Sequence, residues 1–131
     1  MRKQFTAVIV LGVLAIGAVM LWQTTSGNAS TPKAGAAVAS GKLAFLELGS
    51  VGCKPCDAMV PVLDAVRRDY GDRVEVTFHD VRKNPAVGKQ WGVILIPTQV
   101  FLDVSGKEYF RHEGYLALEE VVKALKQGGL R

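Results

Sequence analysis

The chain has 131 residues and 49% of them are hydrophobic, which is enough for one domain of ordinary size with a packed core. Its formal net charge is +4, but residues 42–131 hold 13 Lys or Arg against 12 Asp or Glu, a difference of only +1. Nucleic-acid binding has no support, because no basic run is interleaved with aromatic residues.

The first segment has the pattern of a membrane anchor. Two basic residues precede an 18-residue apolar run, Phe5 to Trp22, which as a helix would span about 27 Å, close to the hydrocarbon thickness of a bilayer. A signal-peptide core is shorter, roughly 7–15 residues, so we predict an uncleaved anchor over residues 1–22. A cleaved signal peptide is the alternative, since Gly27 and Ala29 loosely fit a cleavage site. The basic pair predicts that the remainder lies on the extracytoplasmic side.

Residues 23–41 are rich in Gly, Ala, Ser and Thr and contain little that could be buried. This composition is typical of a flexible tether. The folded domain is therefore predicted over residues 42–131.

Within that domain, short apolar or alternating runs typical of strands alternate with runs whose apolar residues have helical spacing. The predicted elements are, in chain order, strand 43–50, helix 56–71, strand 73–81, helix 84–92, strand 98–104, strand 107–114 and helix 116–127. A turn over residues 103–106 joins the last two strands into a hairpin. This order predicts an α/β fold in which a mixed sheet carries helices on both faces.

Single residues set the predicted helix ends. Gly71 is expected to stop the first helix, while Asn84 caps the second and Pro85 occupies its first turn. The last helix is expected to fray at Gly128 and Gly129.

The two cysteines of the chain lie where a strand meets a helix. Cys53 follows the first strand, and Cys56 comes one helical turn later. Unpaired backbone N–H groups and the helix dipole stabilise a thiolate at Cys53, Lys54 adds a positive charge, and Pro55 fixes the first turn. Cys56 is then placed to resolve a mixed disulfide formed by Cys53. We interpret the pair as a reversible redox couple that needs no cofactor.

Two other interpretations of the cysteine pair stay open. A zinc site needs four ligands, and only His79 and His112 remain, both on predicted strands and without the spacing of a zinc finger. A purely structural disulfide is also compatible with an extracytoplasmic domain. However, a bridge across so short a loop restricts little of the unfolded chain. We therefore prefer the redox couple and predict no metal.

Residues 42–127 resemble the thioredoxin family. The segment CKPC is similar to its Cys-x-Pro-Cys site, Pro61 matches the proline that kinks its active-site helix, and Gly106 falls at the glycine of its hairpin turn. The resemblance implies a thioredoxin-like fold in which Cys53 is the attacking thiol and Cys56 the buried, resolving one.

The same resemblance implies a substrate groove. Residues 96–98, Ile-Pro-Thr, match the cis-proline loop, so that Pro97 would be cis and lie against the disulfide. The backbone of Ile96 would face an incoming extended chain, and Gly114 would flank the groove. An ordinary trans proline at a strand start is the alternative.

Glu47 is an acid in the middle of an apolar strand, six residues before Cys53. If it is buried, desolvation raises its pKa, and it could accept a proton from Cys56 as that thiol attacks. Thioredoxins place a buried Asp at this position, which implies the same role. The alternative is an acid tilted toward solvent at a strand edge.

The sequence departs from the family pattern in three places. Gly52, preceded by Val51, stands where the family usually has Trp just before the first cysteine, which leaves the rim of the site less aromatic. Phe78 stands where a Lys commonly lies near the buried acid. The tether replaces most of the first strand and helix of the family.

These features predict a membrane-anchored thiol–disulfide oxidoreductase, with its domain in a periplasm or equivalent, that reduces disulfides in other proteins. A reductant outside the cytoplasm needs electrons, so a transmembrane electron donor is an expected partner. The alternatives are a dithiol oxidase or isomerase, and a thioredoxin-like adaptor that holds a partner or Cu(I) through its thiols.

Overall fold

The structure is a computed structural model that describes residues 41–131. The predicted anchor and all but the last residue of the predicted tether lie outside the described residues. Among the described residues, no helix has both the length and the apolar character that crossing a bilayer requires.

Four strands form one mixed sheet. They are β1 (Leu43–Gly49), β2 (Val74–Asp80), β3 (Thr98–Leu102) and β4 (Glu108–Glu113). The order across the sheet is β2-β1-β3-β4, with β1 parallel to β2 and antiparallel to β3, and β3 antiparallel to β4. The predicted mixed sheet is confirmed. Because β1 is an interior strand covered on both faces, all seven of its residues are buried, which explains its nearly continuous apolar sequence.

Four helices connect and follow these strands. They are α1 (Lys54–Asp57), α2 (Val60–Tyr70), α3 (Pro85–Gln90) and α4 (Leu118–Gln127). The helix predicted over residues 56–71 is therefore two helices. Pro61, in the first turn of α2, has no N–H to donate to the carbonyl of Asp57. The helix is therefore interrupted here and not merely kinked.

The helices pack on both faces of the sheet, as predicted. Odd-numbered residues of β1 face α2 and α4, where Phe45 stacks on Phe101 with ring centroids 4.7 Å apart. Even-numbered residues such as Leu46 and Leu48 face the other side and pack with Val87 of α3. This alternation places Glu47 on the face covered by α2 and α4.

Two predicted helix ends need correction. Asn84 precedes α3, but its side chain makes no capping hydrogen bond. The end of α4 does not fray: the N–H of Leu130 donates to the carbonyl of Leu125 at 3.0 Å, and that of Gly129 donates to Lys126 at 3.1 Å. Gly129 has a φ of 105°, so the end is a Schellman motif. Leu130 is buried in the core, which supplies the apolar contact that holds this motif.

Candidate active site

The turn after β1 brings the two cysteines together. Gly52 has a φ of 78°, and the N–H of Cys53 donates to the carbonyl of Ser50 at 3.3 Å. Cys53 is the N-cap residue of α1 and is partly exposed, whereas Cys56 is buried, with 3% of its surface exposed. The two sulfur atoms lie at disulfide distance, with 5.2 Å between the Cα atoms. One sulfur is thus near solvent and its partner lies behind it.

Helix α1 is a single turn. Its hydrogen bonds run from Asp57 N–H to the Cys53 carbonyl at 2.8 Å and from Ala58 N–H to the Lys54 carbonyl at 3.1 Å. Pro55 lies in this turn, where an N–H would have no partner in the helix. The field at Cys53 therefore comes from the nearest peptide groups, because the dipole effect is largely confined to the first turn, and from the exposed Lys54.

Gly49 leaves the space that Cys56 occupies. A Cβ atom on Gly49 would lie 3.3 Å from the Sγ atom of Cys56 and 3.2 Å from the Phe78 ring. Those separations are tighter than ordinary van der Waals contact, so a side chain here would push on the resolving cysteine. The sequence did not identify this residue, because a glycine at a strand end is also typical of a simple turn.

Glu47 is fully buried on the interior strand β1, so the alternative of an acid tilted toward solvent at a strand edge is wrong. Burial raises the pKa of Glu47 from 4.5 to about 7, and a hydrogen bond from Gln99 acts in the opposite direction. On β2 its register partner is Phe78. Among the described residues, none of the ion pairs includes Glu47.

Gln99 is the second residue that the sequence did not identify. Its Nε2 atom donates to Oε2 of Glu47 at 3.1 Å and to the carbonyl of Gly114 at 3.0 Å. Gln99 lies on β3 directly opposite Glu47 and is fully buried. The available signal was a polar residue inside an apolar strand, but its partner depends on the register between two distant segments.

The Ile96–Pro97 peptide bond is cis, so the alternative of a trans proline is wrong. Beside it, the N–H of Gly114 donates to the carbonyl of Pro97 at 2.7 Å, and Gly114 has a φ of 93°. Pro97 is buried and Ile96 is partly exposed. Contact between Pro97 and the disulfide stays a prediction.

The described residues contain no group of three or more His, Cys, Asp or Glu side chains that could hold a metal ion. His112 instead lies beside the carbonyl of Tyr115, 3.2 Å from its Nε2 atom. The site as described is a pair of sulfur atoms backed by one buried acid. That arrangement is consistent with thiol–disulfide exchange.

Solved structures of other proteins have the same fold as this chain. A crystal structure of chloroplastic thioredoxin z superimposes with a TM-score of 0.64 at 23% identity, covering 71% of this chain and 83% of that one. A structure of thioredoxin-2, a component of malaria parasite protein secretion machinery, gives a TM-score of 0.62 at 19% identity, covering 66% and 82% of the two chains.

Sequence comparison gives the family. The thioredoxin-like protein slr1139 of Synechocystis sp. is 33% identical over 75 residues, which cover 57% of this chain and 68% of that protein. Chloroplastic thioredoxin Y of Oryza sativa subsp. japonica is 26% identical over 87 residues, and the match spans only 51% of its length. The family model described as Thioredoxin matches residues 35–127. Since this match covers most of the sequence, the chain belongs to the thioredoxin family.

Proposed function

We propose that this protein is a thiol–disulfide oxidoreductase that reduces disulfides in other proteins through Cys53 and Cys56. The observation that carries the proposal is the pairing of a partly exposed sulfur with a buried one at disulfide distance, after a strand that holds a buried acid. Membership of the thioredoxin family supports the reaction class.

The reaction balances without any cofactor. The Cys53 thiolate attacks one sulfur of the substrate disulfide, forms a mixed disulfide and releases the first substrate sulfur as a thiolate. Cys56 then loses its proton and attacks the Sγ atom of Cys53, which releases the second substrate sulfur. The substrate gains two electrons and two protons, and Cys53 and Cys56 end as a disulfide.

Glu47 is the proposed acceptor of the Cys56 proton. Glu47 and Gly49 lie on the same face of β1, and Gly49 faces Cys56, so the acid is two residues along the strand from the glycine that faces the resolving thiol. A pKa of about 7 leaves about half of the Glu47 side chains as carboxylate at neutral pH. The group can therefore accept a proton and return it within one cycle.

The groove beside the cis peptide is the proposed substrate site. Ile96 offers its backbone groups to an extended segment, as in strand addition, and Gly114 flanks the groove. Apolar side chains next to them in sequence are exposed, including Leu95 and Tyr115, and Val51 near Cys53 is 67% exposed. These side chains favour an unfolded or extended protein segment over a small polar disulfide as substrate.

We further propose that residues 1–22 anchor the protein, that residues 23–41 tether the domain, and that the domain faces the extracytoplasmic side. The support is the apolar run after two basic residues. A transmembrane protein with its own dithiol would return electrons to Cys53 and Cys56. Labelling intact cells with a membrane-impermeant maleimide tests the side: Cys53 should be labelled after reduction without lysis, and labelling only after lysis would contradict the placement.

Trapping tests the reaction. In the full chain, Cys56→Ser should accumulate mixed disulfides between Cys53 and substrate proteins that dithiothreitol releases, because the resolving step is removed. Cys53→Ser is the matched control and should trap far less. An unchanged cellular activity of Cys56→Ser would instead indicate an adaptor.

The redox potential tests the direction. Equilibration of the full chain with glutathione buffers should give a potential below about −200 mV, the range of disulfide reductants. A potential well above this value would indicate a dithiol oxidase or isomerase.

A further inference from the structure

The described part of the chain buries polar side chains mainly at one end of the sheet. The four buried polar or charged residues are Glu47, Ser50, Thr98 and Gln99. Of these, Gln99 has no step in the proposed exchange. A buried amide is costly unless it is hydrogen-bonded, and an apolar residue would fill the same position on β3 without that cost. An amide side chain at this position of β3 therefore needs a physical explanation.

The hydrogen bonds of Gln99 fix which way its amide points. Nε2 has two hydrogens, and both are used: one is donated to the carbonyl of Gly114 and one to Oε2 of Glu47. The reversed orientation would place Oε1 of Gln99 against the Gly114 carbonyl, two acceptors facing each other. Gly114 is itself held, because its N–H donates to the carbonyl of Pro97. The backbone of the proposed groove thus obliges Gln99 to present a donor to Glu47.

We propose that Gln99 is a positioning residue for Glu47. The amide N–H of Gln99 holds the buried carboxyl in place and stabilises the carboxylate, as a positive counter-charge would otherwise do. This inference rests on the proposed function for its catalytic meaning, but the contact itself can be tested without activity. Phe78, the β2 neighbour of Glu47, offers no charge, and the donor comes instead from the strand on the other side, β3.

The groups around the carboxyl are few. On β2 the register neighbour is Phe78, Cys56 of α1 lies beside Gly49 two residues along β1, and the other side chains that α2 and α4 bury against this face are apolar. Beyond Gln99, the register partner on β4 is His112. Asp80, opposite Gly49, is occupied by backbone N–H groups of Val51, Arg82 and Lys83.

A donor to Oε2 favours the ionised form of Glu47, because a carboxylate accepts hydrogen bonds more strongly than a neutral acid. The other oxygen, Oε1, is buried without a partner among the described residues, so burial opposes ionisation at the same time. Gln99 therefore limits how far burial raises the pKa of Glu47. Without it, less carboxylate would be available at neutral pH to accept the proton of Cys56.

The experiment is a direct titration of Glu47 by ¹³C NMR of glutamate carboxyl carbons, in the oxidised full chain in detergent micelles, from about pH 5 to about pH 10.5, which passes the highest expected midpoint. Glu47→Gln identifies the resonance, and His112→Asn removes the nearby imidazole. In Gln99→Met, which keeps an unbranched side chain but no donor, the midpoint should rise by about one to two pH units. A rise of one unit cuts the carboxylate fraction at pH 7 from about half to about a tenth.

Two further variants control for structure. Val100→Ala removes buried volume on the opposite face of β3 and should lower stability without moving the Glu47 midpoint. Gln99→Asn keeps an amide but is too short to reach both partners, so its midpoint should rise as well, and it serves if Gln99→Met does not fold. The pH profile of the resolving step should move with the midpoint in each Gln99 variant.

A midpoint that stays within about 0.3 units of the wild-type value in a folded Gln99 variant would overturn the proposal. A midpoint that moves equally in Val100→Ala would also overturn it, since general loosening would then explain the shift. A midpoint that moves only in the Gln99 variants, in a protein that reduces no disulfide, supports the contact and rejects the proposed function. The positioning of Glu47 by Gln99 and the proposed function can therefore be rejected independently of each other.

Discussion

Two neighbouring cross-strand pairs of β1 and β3, on the same face of the sheet, differ in chemistry. We call them the aromatic row and the polar row. In one row Phe45 of β1 lies opposite Phe101 of β3, and the two rings stack 4.7 Å apart. Two residues further along the same strands, Glu47 lies opposite Gln99. Both rows are fully buried, so they differ in chemistry and not in exposure to solvent. Burial of the aromatic row therefore stabilises the domain, whereas the polar row costs stability and has a use only in the proposed exchange reaction.

Breaking the aromatic row should have the largest effect. Phe101→Ala removes the ring that contacts Phe45, Tyr109 and Phe110, and leaves a cavity in the main core. The expected loss of unfolding free energy is about 3–5 kcal/mol. Urea denaturation of the oxidised full chain measures it. Glu47 should keep its titration midpoint in any folded fraction, and a shifted midpoint would show that the rows are not independent.

The polar row should make stability depend on pH in a particular direction. The pKa of Glu47 is about 7 in the folded chain against 4.5 for the ordinary group. Because burial penalises only the ionised form of Glu47, the domain is most stable below pH 4.5 and becomes less stable as the pH rises from 4.5 through 7. The loss attributable to Glu47 is about 3 kcal/mol between pH 4.5 and 8.

Glu47→Gln is the matched control for that pH dependence, because it keeps the shape and cannot ionise. The difference in unfolding free energy between wild type and Glu47→Gln should therefore become less favourable to the wild type as the pH rises. A difference that is flat across this range would show that Glu47 titrates normally.

The contrast between the rows also shows what the sequence could predict. Apolar spacing located every strand and most helix boundaries, and an acid in an apolar strand marked Glu47, because these signals are local. The role of Gln99 depends on the register of β1 with β3, which places it opposite Glu47, 52 positions away in the sequence. The Schellman motif after α4 was missed for the same reason, since it depends on burial of Leu130 in the core. Contacts distant in sequence leave no periodic signal.

The next residue after Glu47 on this face of β1 is Gly49, where there is no room for a side chain. In Gly49→Ala the new methyl group would press on Cys56 and on the Phe78 ring, each within 3.3 Å of its position. Overpacking of this kind should cost about 1–3 kcal/mol of unfolding free energy. It should also slow the resolving step, because Cys56 is displaced.

Ala44→Gly on the same strand is a suitable comparison for Gly49→Ala, since Ala44 faces the opposite side of the sheet. It should lower stability without a specific effect on the resolving step. Stopped-flow measurement of mixed-disulfide decay separates the two variants. Equal rates in both would mean that the space at Gly49 does not position Cys56.

The smallest effect is expected when a positive charge is added beside Glu47 in the polar row. Phe78→Lys places an ammonium group beside Glu47 on β2, at a position where the present side chain is 37% exposed. An opposite charge lowers a carboxyl pKa, and partial exposure limits the effect, so the midpoint should fall by about one unit.

Phe78→Met is the uncharged control and should leave the Glu47 midpoint near 7. If Phe78→Lys lowers the midpoint in wild type and restores it in Gln99→Met, then a donor from β3 and a charge from β2 are interchangeable supports for the same acid. If the lysine changes neither, its ammonium group points to solvent, and the carboxyl depends on Gln99 alone. In both cases the aromatic row should be unaffected, because stacking of Phe45 on Phe101 does not involve charge.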